Sequence, residues 1–361
     1  MAEIEHYVDP RNKSHKKFSS VQDLQLPLWT ASLQDSNQAP TREYTLSSAV
    51  KAGIINNETL AYFLGRTYHY LLKIGISSEG IRFRQHRKTE MAHYASDCWD
   101  AEVETSYGWI EVAGHADRTC FDLSRHSQAS GKDLVASKPL EKPVTVNLIR
   151  VSLNQKNLYS TFKDDKTQNQ EIARIIENLS NEDRERLCRE YEQNKMISIM
   201  VGQKEISLSS DMITFERYSE TQHEEKYTPG VIEPSFGMGR ITYCVLEHCF
   251  RVREKDTKRT FFAFPPVVSP YKVSILPLID DEEMRSFIEP IRRSLIMNGI
   301  SYKVDDGTDS VGKRYARTDE IGIPFGITID KDTIKDKTVT LREIVTMKQI
   351  RISVIYYLTL D

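Results

Sequence analysis

Apolar residues recur at helical spacing along residues 57–75, at Leu60, Phe63, Leu64, Tyr68, Leu71 and Leu72. Positions three and four apart share one face of a helix, so this segment is predicted to form an amphipathic helix. Gly75 is predicted to end the helix. Glycine is suited to a helix C-cap, because it adopts the left-handed backbone at little cost. We interpret this helix as scaffold.

Two other segments alternate between apolar and polar residues, which is typical of strands. Residues 109–118 are predicted to form a strand that leads into a turn, with Glu111 directed away from the apolar residues on either side. At the start of the chain, Glu3 and Glu5 alternate with an isoleucine, so a strand there places both carboxylates on one face. Carboxylates that are buried need a cation, and we expect one nearby.

Residues 127–229 are more polar than the sequence on either side, and we predict that they form an insertion. Within it, Ser180 and Asp183 have the spacing of a helix-capping signal before a predicted helix at residues 184–193. Apolar and polar residues alternate along residues 195–217, which predicts a hairpin. The insertion contains no pattern to which chemistry can be assigned.

Consecutive prolines at positions 265 and 266 mark another boundary, because proline cannot continue a helix or a central strand. Strand-like and helix-like segments alternate after them. The predicted strands are residues 272–278, 302–305, 322–329 and 338–342, and the predicted helices are residues 281–298 and 311–319. This alternation favours an α/β domain with a mixed sheet.

The composition is that of a globular chain large enough for two or three domains, with 361 residues, 39% hydrophobic and 28% charged. The 49 basic and 52 acidic side chains give a formal net charge of −3. This balance excludes a bulk basic surface for nucleic acid, so any RNA contact depends on local clusters such as Lys313, Arg314 and Arg317. The alternative for these three residues is a solvated helix face.

The five cysteines indicate neither a disulfide framework nor a zinc site, because they are scattered and include no C-x-x-C pair. They are Cys98, Cys120, Cys188, Cys244 and Cys249. No stretch approaches the roughly 18 apolar residues of a membrane span, and the first residues lack a secretory pattern. These features favour a reducing, cytoplasmic setting. His115 is interpreted as a packed or hydrogen-bonded residue rather than a metal ligand.

The segment EPSFGMGR, which ends at Arg240, is predicted to form a strand-to-helix turn that faces a charged ligand. Glu233 and Ser235 lie two apart, so they point to the same side of an extended segment and can receive an ammonium group. Gly237 and Gly239 lack Cβ; we expect backbone angles that other residues avoid and a close approach of the main chain to the ligand. The guanidinium of Arg240 can stack on a base or bind phosphate oxygens. The alternative is an ordinary glycine-containing turn.

With this motif, the chain resembles the eukaryotic-type glycyl-tRNA synthetases, which are class II aminoacyl-tRNA synthetases. EPSFGMGR is similar to their third class II signature. The other similar segments, in the order of the family, are residues 1–6 (MAEIEH), 83–86 (FRQH), 90–95 (EMAHYA), 97–100 (DCWD), 105–123 and 314–323 (RYARTDEIGI). The resemblance implies an α+β fold, in which an incomplete antiparallel-sheet catalytic domain of the class II type carries an insertion and precedes an α/β anticodon-binding domain with a mixed sheet.

The predicted domains follow from this resemblance. Residues 1–126 form the first part of the catalytic core, residues 127–229 the insertion, residues 230–264 the third signature with its helix, and residues 265–361 a truncated anticodon-binding domain. For the insertion, the family implies a role in holding the acceptor end of tRNA.

The resemblance also implies roles for individual residues. Glycine is expected to contact Glu3, Glu233, Pro234 and Ser235. ATP is expected to contact Glu111, Val112, Gly237, Gly239 and Arg240, with Glu111 and Arg240 as the catalytic residues. Glu111 is a candidate for binding Mg²⁺, directly or through water. Arg118 is a further candidate, for which a structural salt bridge with Asp117 is the alternative. Arg314 and Arg317 are candidates for contact with the anticodon.

The implied reaction is the ATP-dependent activation of glycine to glycyl-adenylate and its transfer to tRNA(Gly). The glycine carboxylate attacks the α-phosphorus of ATP, so catalysis depends on positioning and on the positive field of arginines and Mg²⁺. Because glycine has no side chain to hold, its selection works by exclusion of larger amino acids. The resemblance implies a cytoplasmic enzyme, with mitochondrial sharing as an alternative.

The first and second family signatures find no match, and the similarity fades after residue 351 into a strand-prone tail at residues 352–361. We therefore expect a chain truncated at both ends that binds ATP weakly and lacks the interface of the family's homodimers. The alternative function is a non-catalytic tRNA- or partner-binding paralogue, or a fragment of the synthetase. Retention of the predicted acidic residues and of Arg240 favours descent from a working enzyme.

Overall fold

The computed structural model describes residues 1–162, 166–279 and 281–354. Its strands are β1 (Ala2–Glu3), β2 (His6–Val8), β3 (Leu28–Trp29), β4 (Ile81–Gln85), β5 (Asp97–Thr105), β6 (Gly108–Asp117), β7 (Ala136–Leu153), β8 (Met196–Val201), β9 (Lys204–Ser209), β10 (Ile213–Tyr227), β11 (Gly230–Phe236), β12 (Phe250–Arg253), β13 (Asp256–Phe262), β14 (Val273–Pro277), β15 (Tyr302–Val304), β16 (Phe325–Ile329), β17 (Thr338–Glu343) and β18 (Gln349–Ser353). Its helices are α1 (Ala31–Asp35), α2 (Leu46–Lys51), α3 (Glu58–Lys73), α4 (Phe121–Ser130), α5 (Gln155–Thr161), α6 (Lys166–Glu177), α7 (Asn181–Asn194), α8 (Met238–Cys249), α9 (Glu282–Arg285), α10 (Ile288–Met297), α11 (Val311–Glu320) and α12 (Lys331–Asp336). Over these described ranges, no helix has both the length and the apolar character that crossing a membrane requires.

The chain divides into two compact units, one made of Met1–Leu134 with Thr228–Asp361 and one made of Val135–Tyr227. The first unit contains a seven-stranded sheet in the order β1–β11–β6–β5–β4–β3, in which β2 also pairs with β11. Its pairs are antiparallel except β3 with β4. An antiparallel sheet can leave one face open to solvent. Here α3 and α8 both contact the sheet, and their buried residues share one core with Phe83, Trp99 and Ile232 of the sheet.

The predicted scaffold helix is confirmed as α3. Asn57 caps its start by accepting a hydrogen bond from the backbone N–H of Leu60, at 2.9 Å. Gly75 follows its end with φ +104°, which a residue with a side chain rarely adopts. The buried face of the helix packs into a core that also contains Phe83 and Trp99 from the sheet.

His115 lies on the covered face of the sheet and is completely buried. Its Nδ1 lies 3.2 Å from the carbonyl oxygen of Trp99, which can only accept, so Nδ1 donates. Its Nε2 then accepts from the hydroxyl of Thr67 on α3, at 2.7 Å. Burial lowers the pKa of His115 to about 4. The interpretation of His115 as a packed, hydrogen-bonded residue is confirmed, and the neutral imidazole joins α3 to the sheet.

The second unit has its own core and its own sheets. The long strands β7 and β10 pair antiparallel, and β8 and β9 form a hairpin. The core contains Ile172, Leu187, Ile197 and Leu208. Ser180 accepts a hydrogen bond from the backbone N–H three residues ahead, which confirms the predicted cap of α7. The predicted hairpin at residues 195–217 is confirmed only in part, because its last residues belong to β10 and pair with β7 instead.

The last part of the first unit contains a five-stranded mixed sheet in the order β15–β14–β16–β17–β18. The pairs of β14 with β15 and β16 are parallel, whereas β17 pairs antiparallel on both sides. The prediction of an α+β chain with a mostly antiparallel sheet, an inserted unit and a mixed C-terminal sheet is therefore confirmed. The fully buried run of β14 is the expected pattern for a central parallel strand.

Three details of this region differ from the prediction. The helix predicted at residues 281–298 is broken into α9 and α10, because Pro290 lacks an N–H and is accommodated in the first turn of a new helix. The sequence analysis missed α12 and β18. Of the strand-prone tail at 352–361, the first two residues end β18, and residues 355–361 lie outside the described residues.

A buried charge cluster joins the β12–β13 hairpin to the mixed sheet. Arg253 donates to Asp319 Oδ2 at 2.9 Å and to the carbonyl oxygens of Ile344 and Val345 at 2.7 and 2.9 Å. Arg342 binds both carboxylate oxygens of Asp319, at 2.9 and 3.1 Å. All three charged residues are buried. A buried charge is tolerated only when it is paired, so each side chain depends on the others.

We predict that Asp319→Ala lowers the free energy of unfolding by about 3–5 kcal/mol, because it leaves two buried guanidiniums without their carboxylate. Asp332→Ala is the matched control, since Asp332 is exposed and its ion pair with Lys335, at 3.5 Å, lies at the surface. Urea denaturation followed by tryptophan fluorescence measures both variants, because all three tryptophans lie in the first unit. Equal stability of the two variants would contradict the role of the cluster.

We also predict that the first unit loses stability as the pH falls from 6.5 toward 4. The pKa of His115 is depressed in the folded state, so below pH 6.5 the unfolded chain binds the proton that the folded chain excludes. The full loss in the free energy of unfolding is about 3 kcal/mol. When the free energy of unfolding is measured against pH, this acid-dependent loss should be smaller in His115→Gln and unchanged in the control His69→Gln, whose histidine is exposed. The prediction is wrong if His115→Gln keeps the pH profile of the unmodified chain.

Candidate active site

The open face of the seven-stranded sheet carries polar residues in rows that cross neighbouring strands. Residues directly opposite one another in antiparallel strands share a face. Glu3 on β1 is opposite Ser235, Ser235 is opposite Gly114, Gly114 is opposite Asp100, and Asp100 is opposite Arg84. This register places four polar residues and Gly114 in one line across five strands.

A second row lies two residues along the strands from the first. Glu233 on β11 is opposite Ala116, and Ala116 is opposite Cys98. His86 follows the end of β4 and its backbone N–H donates to the carbonyl of Cys98 at 2.9 Å, which continues the row. The two rows together bring residues more than two hundred positions apart in sequence onto one small surface.

These rows define a trough with two walls and a floor. The first wall is formed by Glu3, Glu233 and Ser235. The second wall is formed by His86, Cys98 and Asp100. The floor is formed by Gly114 and Ala116, which are both partly exposed.

Beside the first wall, a cavity of ≈ 450 Å³ opens along β1, β2 and α4. Its lining residues are Glu3, Glu5, Tyr7, Arg118, Asp122, Leu123, His126, Leu134, Val231 and Glu233. Both Glu3 and Glu5 line it. The prediction of buried carboxylates in one strand is wrong, because both residues are exposed and β1 ends at Glu3 before β2 begins at His6.

Arg118 is the cation of this cavity. Its Nη1 lies 2.7 Å from Glu233 Oε2, and its guanidinium binds both oxygens of Asp122 at 2.7 and 3.0 Å. The ring of Tyr94 lies 4.2 Å from the guanidinium carbon. The hydrogen bond from Arg118 holds the pKa of Asp122 below its usual value. The guanidinium is thereby held rigidly against Glu233.

The alternative salt bridge between Asp117 and Arg118 is wrong. Asp117 is fully buried on the covered face, where it pairs with Lys13 at 2.6 Å and accepts from Asn57 at 2.9 Å. Adjacent strand residues point to opposite faces, so Arg118 is directed to the open face instead.

Ser235 and Glu3 are neighbours, with 3.5 Å between Ser235 Oγ and Glu3 Oε1. Pro234 lies between Glu233 and Ser235 in sequence but points to the covered face, where it is buried opposite His115. Its carbonyl accepts from the N–H of Ile4 at 2.9 Å. A side-chain contact of Pro234 with a ligand on the open face is therefore ruled out in this conformation.

Arg240 and Glu111 form a second, more exposed polar pair. Arg240 Nη1 lies 3.6 Å from Glu111 Oε1 and donates to the Glu111 carbonyl at 3.0 Å. Their side chains are 57% and 51% exposed, so both remain accessible. Val112 is buried, and its carbonyl accepts from the N–H of Gly237 at 2.8 Å. This leaves Val112 without an exposed side chain for the predicted contact with ATP.

The expected unusual backbone at the two glycines of EPSFGMGR is wrong. Gly237 has φ −78°, and Gly239 is also outside the left-handed region. A Cβ added to Gly237 would meet Arg240 Cδ at 3.4 Å and the Val112 carbonyl oxygen at 3.5 Å as its nearest atoms, and one added to Gly239 would meet nothing within 4 Å. The backbone of the turn therefore accepts alanine, and a close approach by a ligand remains as the reason for glycine.

The second wall is a charge network that the sequence analysis did not assign to the site. Arg84 contacts Asp100 at 2.9 Å, Glu90 at 3.0 Å and Glu102 at 3.3 Å. His86 Nε2 lies 2.9 Å from the same oxygen of Asp100, and this hydrogen bond raises the pKa of His86 to about 10. The available signal was the similarity of FRQH and DCWD to segments of the family, which both contribute charged residues to this wall.

Metal-type donor atoms meet in this wall, since His86, Cys98 and Asp100 each place one within 4.8 Å of the others. Asp100 Oδ2 is already bound by Arg84 and His86. Asp100 Oδ2 is thus already used in ion pairs, whereas the buried Nδ1 of His86 has no hydrogen-bond partner among the described residues. A larger cavity of ≈ 830 Å³ is lined by His86 and by the start of α1, and it contains none of the predicted site residues.

The predicted anticodon contacts have different outcomes. Arg314 is buried and donates to the carbonyl oxygens of Pro277, at 2.7 Å, and of Asp305. A direct contact between Arg314 and RNA is ruled out in this conformation, because the guanidinium is used to hold α11 against β14. Arg317 is half-exposed and pairs with Asp305 at 3.2 Å and Asp309 at 2.6 Å.

The chain is similar to known proteins over nearly its whole length. Residues 272–356 match the family model described as "Anticodon binding domain". The chain is 44% identical over 356 residues to the "Glycine--tRNA ligase" of Caenorhabditis elegans, covering 98% of this chain and 47% of the relative. It is 44% identical to "Glycine--tRNA ligase 2" of Saccharomyces cerevisiae, covering 97% and 56%, and 40% identical to the "Glycine--tRNA ligase" of Methanocaldococcus jannaschii, covering 98% and 61%. The chain is thus homologous to aminoacyl-tRNA synthetases, and within them to the glycine--tRNA ligases.

The chain spans about half the length of the curated relatives it matches. Among solved structures, it is similar to the Giardia lamblia prolyl-tRNA synthetase in complex with prolyl-adenylate. That similarity has a TM-score of 0.45 and 11% identity, and it covers 83% of this chain and 42% of the other.

We predict that Gly239→Ala keeps or raises the melting temperature, because alanine is favoured over glycine in a helix by up to about 1 kcal/mol and the added methyl meets nothing. Gly75→Ala is the contrasting control, since its φ is +104° and its added Cβ would lie 2.7 Å from Cys249 Sγ. Differential scanning fluorimetry compares the two. A clear loss of stability in Gly239→Ala would mean that the backbone, not a ligand, requires glycine there.

Proposed function

We propose that this chain carries the amino-acid-activating site of a glycine--tRNA ligase, which forms glycyl-adenylate from glycine and ATP and transfers the glycyl group to tRNA(Gly). The observation that carries the proposal is the placement of Glu3, Ser235 and Glu233 on one sheet face beside Arg118, on a sheet whose strand β6 also carries Glu111, the partner of Arg240. The homology to glycine--tRNA ligases supports the same conclusion.

The first wall is suited to the ammonium group of a small amino acid. Glu3 and Glu233 are acceptors when ionised, and Ser235 Oγ adds a third oxygen between them. Arg118 neutralises only part of this negative charge, because Asp122 already occupies its other donors. Charge-assisted hydrogen bonds of this kind are roughly twice as strong as neutral ones. The wall therefore holds the one positively charged group that every amino acid has.

The Glu111–Arg240 pair is suited to ATP. Arg240 lies at the start of α8, where its guanidinium can stack on a base or bind phosphate oxygens while the free N–H groups of the helix add positive potential. Glu111 offers one exposed carboxylate, which fits a Mg²⁺ that takes its other ligands from phosphates and water. Such an ion would neutralise charge on the phosphates. Glu111 and Arg240 would then orient the nucleotide beside the first wall.

The chain's own part in this reaction is to hold two anions together. The glycine carboxylate and the α-phosphate repel one another, so a rigid cationic surrounding lowers the barrier without a protein nucleophile. The partly buried guanidinium of Arg118 contacts Glu233 in the first wall, and the exposed guanidinium of Arg240 contacts Glu111. The expectation of weak ATP binding by these residues alone stays a prediction.

We assign the remaining parts of the chain by the same proposal. The mixed sheet would bind the anticodon arm of tRNA(Gly), with Arg317 rather than Arg314 as its candidate contact. The compact unit Val135–Tyr227 supports the predicted insertion at residues 127–229. A cytoplasmic or mitochondrial location is proposed from the homologues, which include a mitochondrial enzyme of Saccharomyces cerevisiae. The retained acidic residues favour this enzyme over a non-catalytic tRNA-binding paralogue.

We predict that Glu233→Gln raises the glycine KM at least about tenfold in glycine-dependent ATP–pyrophosphate exchange, because a hydrogen bond to a charged group contributes about 1.5–3 kcal/mol. Glu3→Gln should act in the same direction. The control is Glu104→Gln, an exposed residue of β5 in the same sheet. Unchanged glycine kinetics in Glu233→Gln would remove this carboxylate from the site.

A further inference from the structure

The second wall brings together three side chains of the types that bind metal ions in proteins. His86, Cys98 and Asp100 each place one donor atom within 4.8 Å of the donor atoms of the other two. His86 follows β4, and its backbone N–H donates to the carbonyl of Cys98, so these two residues are neighbours across two strands. Asp100 lies two residues after Cys98 on β5 and therefore shares its face.

Two of these residues have polar atoms that the described part of the chain leaves without a partner. Nδ1 of His86 is buried and finds no hydrogen-bond partner there. Asp100 uses Oδ2 for both Arg84 and His86, whereas its Oδ1 accepts no hydrogen bond within the same ranges. A Cβ added to Gly114 would lie 3.8 Å from Oδ1, so this oxygen lies beside the trough floor. A buried nitrogen without a partner is unfavourable, and a bound ion is one of its explanations.

The types of donor determine which ion fits. A thiolate, an imidazole nitrogen and a carboxylate oxygen are the ligands of protein-bound Zn²⁺, whereas Mg²⁺ and Ca²⁺ take oxygen ligands. Ligand atoms of a tetrahedral zinc ion lie roughly 3.5 Å apart, given bonds of about 2.0–2.3 Å. Donor atoms that already lie within 4.8 Å of one another need to move by only about 1 Å to reach this spacing.

The charge balance of the second wall also permits a divalent ion. Three carboxylates in and beside the wall are matched by three cations. The carboxylates are Glu90, Asp100 and Glu102, and the cations are Arg82, Arg84 and the protonated His86. An ion bound by Cys98 and His86 releases one proton from the thiol and one from the imidazolium. It brings two positive charges and removes two, so no carboxylate loses its neutralising charge.

We infer that His86, Cys98 and Asp100 form a Zn²⁺ site on the open face of the sheet. His86 supplies an imidazole nitrogen, Cys98 a thiolate and Asp100 a carboxylate oxygen. Three protein ligands leave a fourth position, which water or a ligand in the trough takes. The spacing of cysteines in the sequence does not indicate this site, because its members come from two strands. The site is separate from the Mg²⁺ proposed at Glu111 and does not depend on the proposed function.

The test is a Co²⁺ titration of the whole chain after a chelator has removed bound metals. Co²⁺ occupies zinc sites, and its bond to a thiolate gives a charge-transfer absorption in the near ultraviolet. We expect this absorption to saturate at about one equivalent of Co²⁺ per chain, because the cluster holds a single ion. Excess Zn²⁺ should then remove the absorption, since thiolate ligands select zinc.

Substitutions identify the ligands. Cys98→Ser should abolish the absorption and raise the Kd for Co²⁺ at least about a hundredfold, because losing even an outer-shell partner costs about 10–100-fold. His86→Gln should raise the Kd in the same direction. Cys120→Ser is the matched control, since Cys120 is also partly exposed but its thiol donates to the carbonyl of Thr228 at 3.3 Å.

The outcomes decide the inference without reference to glycine or ATP. Loss of the absorption in Cys98→Ser and its retention in Cys120→Ser, with unchanged melting temperatures, support the site. No Co²⁺ binding by the unmodified chain, binding without the thiolate absorption, or an absorption that persists in Cys98→Ser overturns it. If Cys98→Ser lowers the melting temperature, His86→Gln decides, and an unchanged Kd in that variant overturns the site. Because neither substrate is present in these titrations, failure of the site leaves the proposed function standing.

Discussion

The register of β11 between β1 and β6 is the constraint on which the rest of the site depends. Side chains alternate between the two faces of a strand, so a slip by one residue would send Glu233 and Ser235 into the core and Pro234 to the surface. The covered face prevents this slip, because Ile232 and Pro234 are buried there. A carboxylate buried in place of Ile232 or Pro234, without a paired cation, would lower the free energy of unfolding by several kcal/mol. Apolar burial on one face therefore aligns the acidic residues on the other.

The open face is organised by shared charges rather than by apolar packing. Arg118 joins Glu233 to Asp122, and Arg84 joins Asp100 to Glu90 and Glu102. Each guanidinium holds several carboxylates in fixed positions, since its planar donors match carboxylate oxygens in defined directions. Such pre-organisation is what a site needs when it acts by positioning, because the cost of ordering the side chains has been met during folding. His86 adds a further positive charge to the second wall.

The two parts of the first unit are linked through the elements that follow the site. α8 begins at the proposed nucleotide site and leads directly into the β12–β13 hairpin, whose Arg253 is buried against Asp319 of α11. A helix fixed at its far end by a buried charge cluster has little freedom at its start. The mixed sheet thereby contributes to the position of Arg240, although Arg240 lies at the start of α8 and the contact with the mixed sheet follows the end of α8.

The amino-acid sequence by itself determined the local elements and the type of chemistry. Periodicity predicted α3, the order of strands and helices predicted the mixed sheet, and EPSFGMGR indicated the strand-to-helix turn, because these depend on residues close in sequence. The sequence did not show that Pro234 and Arg314 are buried or that Asp117 pairs with Lys13. It also did not show that His86 and Asp100 lie on the same sheet face as Glu233. Those outcomes depend on which strands become neighbours and in which register, and register is decided by burial summed over the whole sheet. Only the tertiary structure brings those distant carboxylates and guanidiniums to one face.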